Sequence, residues 1–181
     1  MKTMNSMRLG MMLAGMLLMT GLKPREVPFT PKRHTIPEAK RALATSIIGR
    51  WITQTTTVAK NGSPAKSIIG SDVYQWSPDG NFIVHTAYGI GDNGPFGAME
   101  IIGYNPETGD FSSYNFNPDG TFNIDKLTIS GNTWVWTGKE VRSTGTLSAD
   151  RRTLTVKHEI TSDGKHYEPH MNGLLTRGAE Y

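Results

Sequence analysis

Thr153-Leu154-Thr155-Val156-Lys157-His158-Glu159-Ile160-Thr161 is the stretch whose reading decides the fold. Leu154, Val156, His158 and Ile160 fall on one face of an extended chain, and Thr153, Thr155, Lys157, Glu159 and Thr161 on the other. A helix would repeat its apolar residues every three or four positions, and this stretch repeats them every two. The same period appears on either side of it. Trp134 and Trp136 oppose Thr133, Val135 and Thr137, and Glu100 shares a face with Ala98, Ile102 and Tyr104. Segments rich in β-branched and aromatic residues predict strands near 50–59, 67–76, 81–89, 97–104, 110–116, 121–129, 132–140, 141–148, 152–161 and 166–177.

Turn chemistry separates these segments. Ser77-Pro78-Asp79-Gly80, Asn105-Pro106-Glu107-Thr108-Gly109, Asn117-Pro118-Asp119-Gly120 and Ser162-Asp163-Gly164-Lys165 each supply a fixed φ at proline or a tolerated positive φ at Gly, Asn or Asp. Gly89-Ile90-Gly91-Asp92-Asn93-Gly94 is glycine-rich, but no helix follows it, so it reads as a hairpin rather than a phosphate loop. Ten short, half-buried, sequential strands predict an all-β, up-and-down antiparallel β-barrel, which removes exposed edges by closing on itself. The spacing of Asp79, Asp119 and Asp163 approaches the period of a propeller blade, but three such units cannot close a ring that takes at least about four.

The charge of the 181-residue chain is unevenly placed. Its formal +3 arises from residues 1–41, which hold eight Lys/Arg against two acids, while residues 42–181 are net acidic. A nucleic-acid partner would need the basic residues on the folded domain, so none is expected. Lys2 and Arg8 precede an apolar run from Leu9 to Leu22, too short for a spanning helix, which needs about 20 residues. Residues 1–22 therefore read as a signal peptide, predicting a periplasmic or secreted protein with no stable membrane span. Residues 23–45 read as a Pro-rich basic linker ending in a short helix after Thr35, with Pro37 in its first turn and Glu38 at its positive end. The barrel is expected over 46–181. Cys 0 excludes disulfides, thiolate metal sites and a cysteine nucleophile.

Gly49-Arg50-Trp51 at the start of the first strand, with Arg177 in the last, resembles the G-x-W signature of lipocalins. The resemblance implies that the helix and Trp51 plug one end of the barrel and that Arg177 lies over the indole, making Gly49, Trp51 and Arg177 structural residues. Ala98 to Gly109 with the aromatic strand Phe111–Phe116, and Glu159 to Tyr167 with Gly173 and Arg177, are similar to a bacterial lipocalin-like domain-of-unknown-function family, family 1579. That likeness covers roughly 46–178 and implies an exported lipocalin-like barrel without an established activity.

A barrel of this size either fills itself with side chains or holds one small ligand. Trp76, Tyr104, Tyr114, Phe116, Trp134 and Trp136 supply the rings for an apolar pocket, and Glu100 and His158 supply polar anchors on otherwise apolar faces. The expected partner is a small apolar molecule, and no cofactor is expected. Two alternatives remain open: acid/base chemistry by His158 and Glu100, or a ligand-free envelope or interaction protein. His166, Glu168 and His170, spaced i, i+2, i+4, would share a face of a regular strand, but Pro169 interrupts the run and no metal site is assigned to them.

Overall fold

Period-two patterning and frequent turns produce a single closed sheet in the computed structural model, which describes residues 35–60, 62–92 and 94–179. The predicted signal peptide and most of the linker, residues 1–34, lie outside the described residues. One helix, α1 (Glu38–Thr45), precedes ten strands: β1 (Gly49–Thr57), β2 (Ser67–Trp76), β3 (Phe82–Gly91), β4 (Gly94–Asn105), β5 (Asp110–Phe116), β6 (Phe122–Ser130), β7 (Thr133–Thr137), β8 (Val141–Leu147), β9 (Thr153–Ile160) and β10 (Glu168–Arg177). Each strand pairs antiparallel with its sequence neighbours, and β10 returns to β1 to close the barrel. The expected up-and-down barrel is thus present, with no free edge to pair with another chain.

The boundaries differ from the sequence reading where local hydrogen bonding decides them. Pairing of β3 with β4 continues to Gly91↔Gly94, so the gap left between the strands expected near 81–89 and 97–104 shrinks to a two-residue connector. β7 stops at Thr137 because the Gly138 amide donates to the Val141 carbonyl and closes a tight hairpin. β10 begins at Glu168 rather than 166, since the amides of Lys165 and His166 both donate to the Asp163 carboxylate and prolong the turn.

One end of the barrel is closed. Ile47, Trp51, Ile83, Ile102, Phe111, Leu127 and Trp134 are buried together with Ala44 of α1. Trp51 is wholly buried, and its indole N–H donates to the Ile47 carbonyl at 2.9 Å. Arg177 is its direct cross-strand partner, so both side chains emerge on the same face and the guanidinium lies 4.2 Å from the ring centroid. The same guanidinium donates to the carbonyls of Ser46, Ile48 and Arg151, tying together the α1–β1 connection and the β8–β9 turn. Gly49 has φ +133°, and a Cβ there would stand 2.5 Å from Arg177 Nη1. That position admits glycine for both conformational and steric reasons. Arg41 fastens α1 to the β2–β3 turn by donating to the Gly80 carbonyl at 2.7 Å while stacking on Trp76 at 4.3 Å.

Candidate functional site

The half of the barrel away from α1 is not filled. A cavity of about 270 Å³ lies among the inward residues of the strands. Leu154, Val156 and Leu175 form its apolar wall, and Asp72, His85, Glu100, Asn115, Asp125 and Trp136 form a polar one. Ser143 and His158 also line it.

The polar wall is assembled from cross-strand neighbours, whose side chains project to the same face. His85 on β3 is opposite Tyr74 on β2 and Glu100 on β4. Its Nδ1 lies 2.8 Å from Glu100 Oε2 and its Nε2 2.9 Å from Asp72 Oδ1, so the imidazole bridges two carboxylates. Tyr74 stacks on it at 3.8 Å with an interplanar angle of 11°. Thr53 donates to the second oxygen of Asp72. Glu100 Oε1 accepts from the Ser113 hydroxyl and, at 2.8 Å, from the Trp136 indole N–H. Farther round, Asn115 Nδ2 donates to Asp125 Oδ2 at 3.1 Å and Asn123 Nδ2 to Asp125 Oδ1 at 2.8 Å. These side chains form one polar band from β1 to β7.

Burial alone would push the His85 imidazole towards its neutral form. The bonds to Asp72 and Glu100, with the charges of both, outweigh it and raise the pKa to about 9. Burial likewise favours protonated Glu100, but the bond and charge of His85, then Ser113 and Trp136, hold it below the usual carboxylate value. At neutral pH this is an imidazolium between two carboxylates. Tyr74 is pushed well up by burial and then by the charges of Glu100 and Asp72. His158 is different: its Nδ1 lies 2.8 Å from Ser143 Oγ, and burial followed by the charge of His170 lowers its pKa. Asp125 is raised by burial and then by repulsion from Glu100.

These shifts imply a stability maximum bounded on both sides. Folded His85 binds its proton more tightly than the unfolded chain does. Its contribution of about 3 kcal/mol is complete below about pH 6.5 and is lost as pH rises through about 9. The lowered Glu100 value is the same ion pair seen from the carboxylate and is not added to this. His158 acts oppositely, because the folded state prefers it neutral, so stability falls as pH drops below 6.5. Urea midpoints measured from pH 5 to 10 are expected to peak near pH 6.5 and to fall steadily towards pH 9, and a flat alkaline limb would contradict the buried imidazolium.

Of the eight ring and anchor residues expected to form a pocket, the structure brings Glu100, Phe116, Trp136 and His158 to the cavity. Phe116 reaches it only from the rim, with 41% of its surface exposed. Trp76 instead packs beneath Arg41 beside α1, and Tyr104 meets Phe111 edge-on at 5.5 Å in the closed half. Trp134 is wholly buried in the core and stacks on Trp136. Tyr114 points out of the barrel, because the inward residues of β5 are Phe111, Ser113 and Asn115. The expectation of an interior lined mainly by rings is corrected accordingly: one wall of the cavity is polar and carries three carboxylates. Glu100 and His158 line one cavity but have separate partners, His85 and Ser143.

Asp72, His85 and Asp125 escape the sequence reading. On β3 the more apolar alternate set is Phe82, Val84 and Tyr88, yet that set faces outward and Ile83, His85 and Ala87 face in. Register carried a usable signal, since a two-residue connector at 92–93 places His85 directly opposite Glu100. The three residues weighed as a metal face are dispersed. His166 pairs with Asp163, Glu168 with Lys60, and the β9–β10 register shifts between Pro169 and Met171. Among the described residues no group of three or more His, Asp or Glu side chains is arranged to hold a metal ion. No described helix is long and apolar enough to cross a membrane.

The arrangement of strands is similar to that in a crystal structure of Rv2717c from M. tuberculosis, with a TM-score of 0.56 and 14% identity, covering 80% of this chain and 100% of that one. The fold is a closed, up-and-down antiparallel barrel of ten strands. Two further structures are similar over much of their length. The S-type phycobiliprotein lyase CPES from Guillardia theta has a TM-score of 0.48 and 10% identity, covering 79% of this chain and 94% of that one. A de novo designed fluorescence-activating β-barrel has a TM-score of 0.39 and 15% identity, covering 72% of this chain and 93% of that one. The fold assignment rests on the first, and at that identity the likeness speaks for the fold alone. No family model matches the chain, and no curated protein does.

Proposed function

We propose that this chain is an exported binding protein that holds a small organic molecule in the open half of its barrel. The observation that carries this is the cavity of about 270 Å³ with one apolar and one polar wall. A barrel whose only task was to be stable would close this space with side chains, as its other half does. A pocket with an apolar surface and a few fixed polar groups is the usual form of a small-molecule site. The leader-like residues 1–22 support export, and the likeness of 98–116 and 159–177 to family 1579 agrees with it.

Binding accounts for the polar wall better than proton transfer between Glu100 and His158 does. Glu100 accepts three hydrogen bonds and is held ionised, so it has little tendency to take up a proton. Purification of the full chain without denaturant, followed by native mass spectrometry and titration with small aliphatic and aromatic molecules, tests the reading. A co-purified mass or saturable one-to-one binding is expected, and it should be lost in Val156→Trp, which fills the cavity. A protein that carries nothing and binds no probe of any charge would overturn it.

A further inference from the structure

The charges around the pocket are one-sided. Asp72, Glu100 and Asp125 line it, and among the described residues no lysine or arginine does. His85 supplies one positive charge, but both of its N–H groups are committed, to Glu100 and Asp72. It therefore offers no donor to a ligand. His158, the other histidine at the cavity, is shifted towards its neutral form.

Asp125 is the carboxylate left without a counter-charge. Among the described residues its two oxygens accept only from the uncharged amides of Asn115 and Asn123. Each carboxylate oxygen can accept twice, so capacity remains for a further donor. Burial and repulsion from Glu100 penalise its ionised form, which a cation nearby would relieve. The rings of Tyr74 and Trp136 also line the cavity, and aromatic faces attract cations. Leu154, Val156 and Leu175 can take only an apolar body. At roughly 30 Å³ per water-sized group, the space corresponds to a molecule of roughly nine heavy atoms.

Building on the binding reading above, we infer that the pocket selects a compact organic cation, a protonated amine on an apolar body, with Asp125 as the anchor for the ammonium group. An anionic head of the same size would meet uncompensated carboxylates and find no cationic side chain to receive it.

Three eight-carbon probes that differ only in their heads test this on the full chain: octylamine, 1-octanol and octanoate, titrated calorimetrically at pH 7.5 and low salt. Octylammonium is expected to bind about tenfold or more tightly than octanol, with octanoate weakest. Asp125→Asn should abolish the advantage of octylammonium over octanol. Octanol or octanoate binding as tightly as octylammonium to the unaltered protein would overturn the cation inference while the pocket reading stands. Failure of all three probes would overturn the cation inference, and only together with an empty native mass spectrum and no binding of aromatic probes would it overturn the pocket reading as well. The probe series needs no variant, so it decides the matter even if Asp125→Asn folds poorly.

Discussion

Replacing His85 with alanine is expected to destabilise the barrel by about 3–5 kcal/mol at neutral pH. The substitution removes the cation from between Asp72 and Glu100 and leaves two largely buried carboxylates facing each other. Glu100 keeps its donors Ser113 and Trp136, and Asp72 keeps Thr53, but hydrogen bonds do not cancel the repulsion. The stacking surface on Tyr74 is lost as well. A domain of this size is stable by about 5–15 kcal/mol, so the loss is a large part of the whole. Urea unfolding followed by far-ultraviolet circular dichroism reads it directly. The pH profile identifies the cause: His85→Ala should lose the alkaline limb seen in the parent and gain stability as acid protonates the unpaired carboxylates. Adding Glu100→Gln should restore part of the loss. A small, pH-independent effect would mean that the imidazolium is not the link.

Trp51→Ala is expected to cost a similar amount, about 3–5 kcal/mol, for a different reason. Its indole is wholly buried at the closed end, between the Ile47 carbonyl and Arg177. Truncation leaves a cavity that rigid strands on all sides cannot collapse into. It also strips Arg177 of its ring while the guanidinium remains fixed by the carbonyls of Ser46, Ile48 and Arg151. Trp51→Phe keeps an aromatic face but leaves the Ile47 carbonyl without its donor, so it should cost only about 1–2 kcal/mol. The order native, Phe, Ala in urea midpoint is the expected result, and equal losses for the two variants would show that burial of the ring contributes little. Because Trp51 does not itself line the cavity, neither change should alter which probe head binds best.

The two ends of the barrel differ in how visible they were beforehand. At the closed end, Gly49-Arg50-Trp51 and Arg177 are residue types with few alternative uses, and the structure places them against one another. At the open end, the rings misled. Tyr114 and Phe116 are aromatic and alternate regularly, yet β5 turns Ser113 and Asn115 inward. Phe82, Tyr88 and Ile90 also lie on the outside, at 45%, 65% and 69% exposure. The usual equation of apolar with inward fails across β3, β5 and β6, because the outer face there is itself apolar and the inner face carries the polar band.

By itself, the sequence determined that this chain is all-β, that it has ten strands in sequential hairpins, and that α1 precedes them. Those features depend on period and turn chemistry, which are local and can be read from a window of a few residues. Only the tertiary structure decided which alternate set of each strand faces inward and which strands meet. A slip of one residue turns every side chain of a strand to the opposite face, and the periodicity is the same either way. His85 shows the consequence. Its ion pairs join β2, β3 and β4 through residues 13 and 15 positions apart. They exist because closure of the sheet fixes register and buries that face, which no single strand can specify.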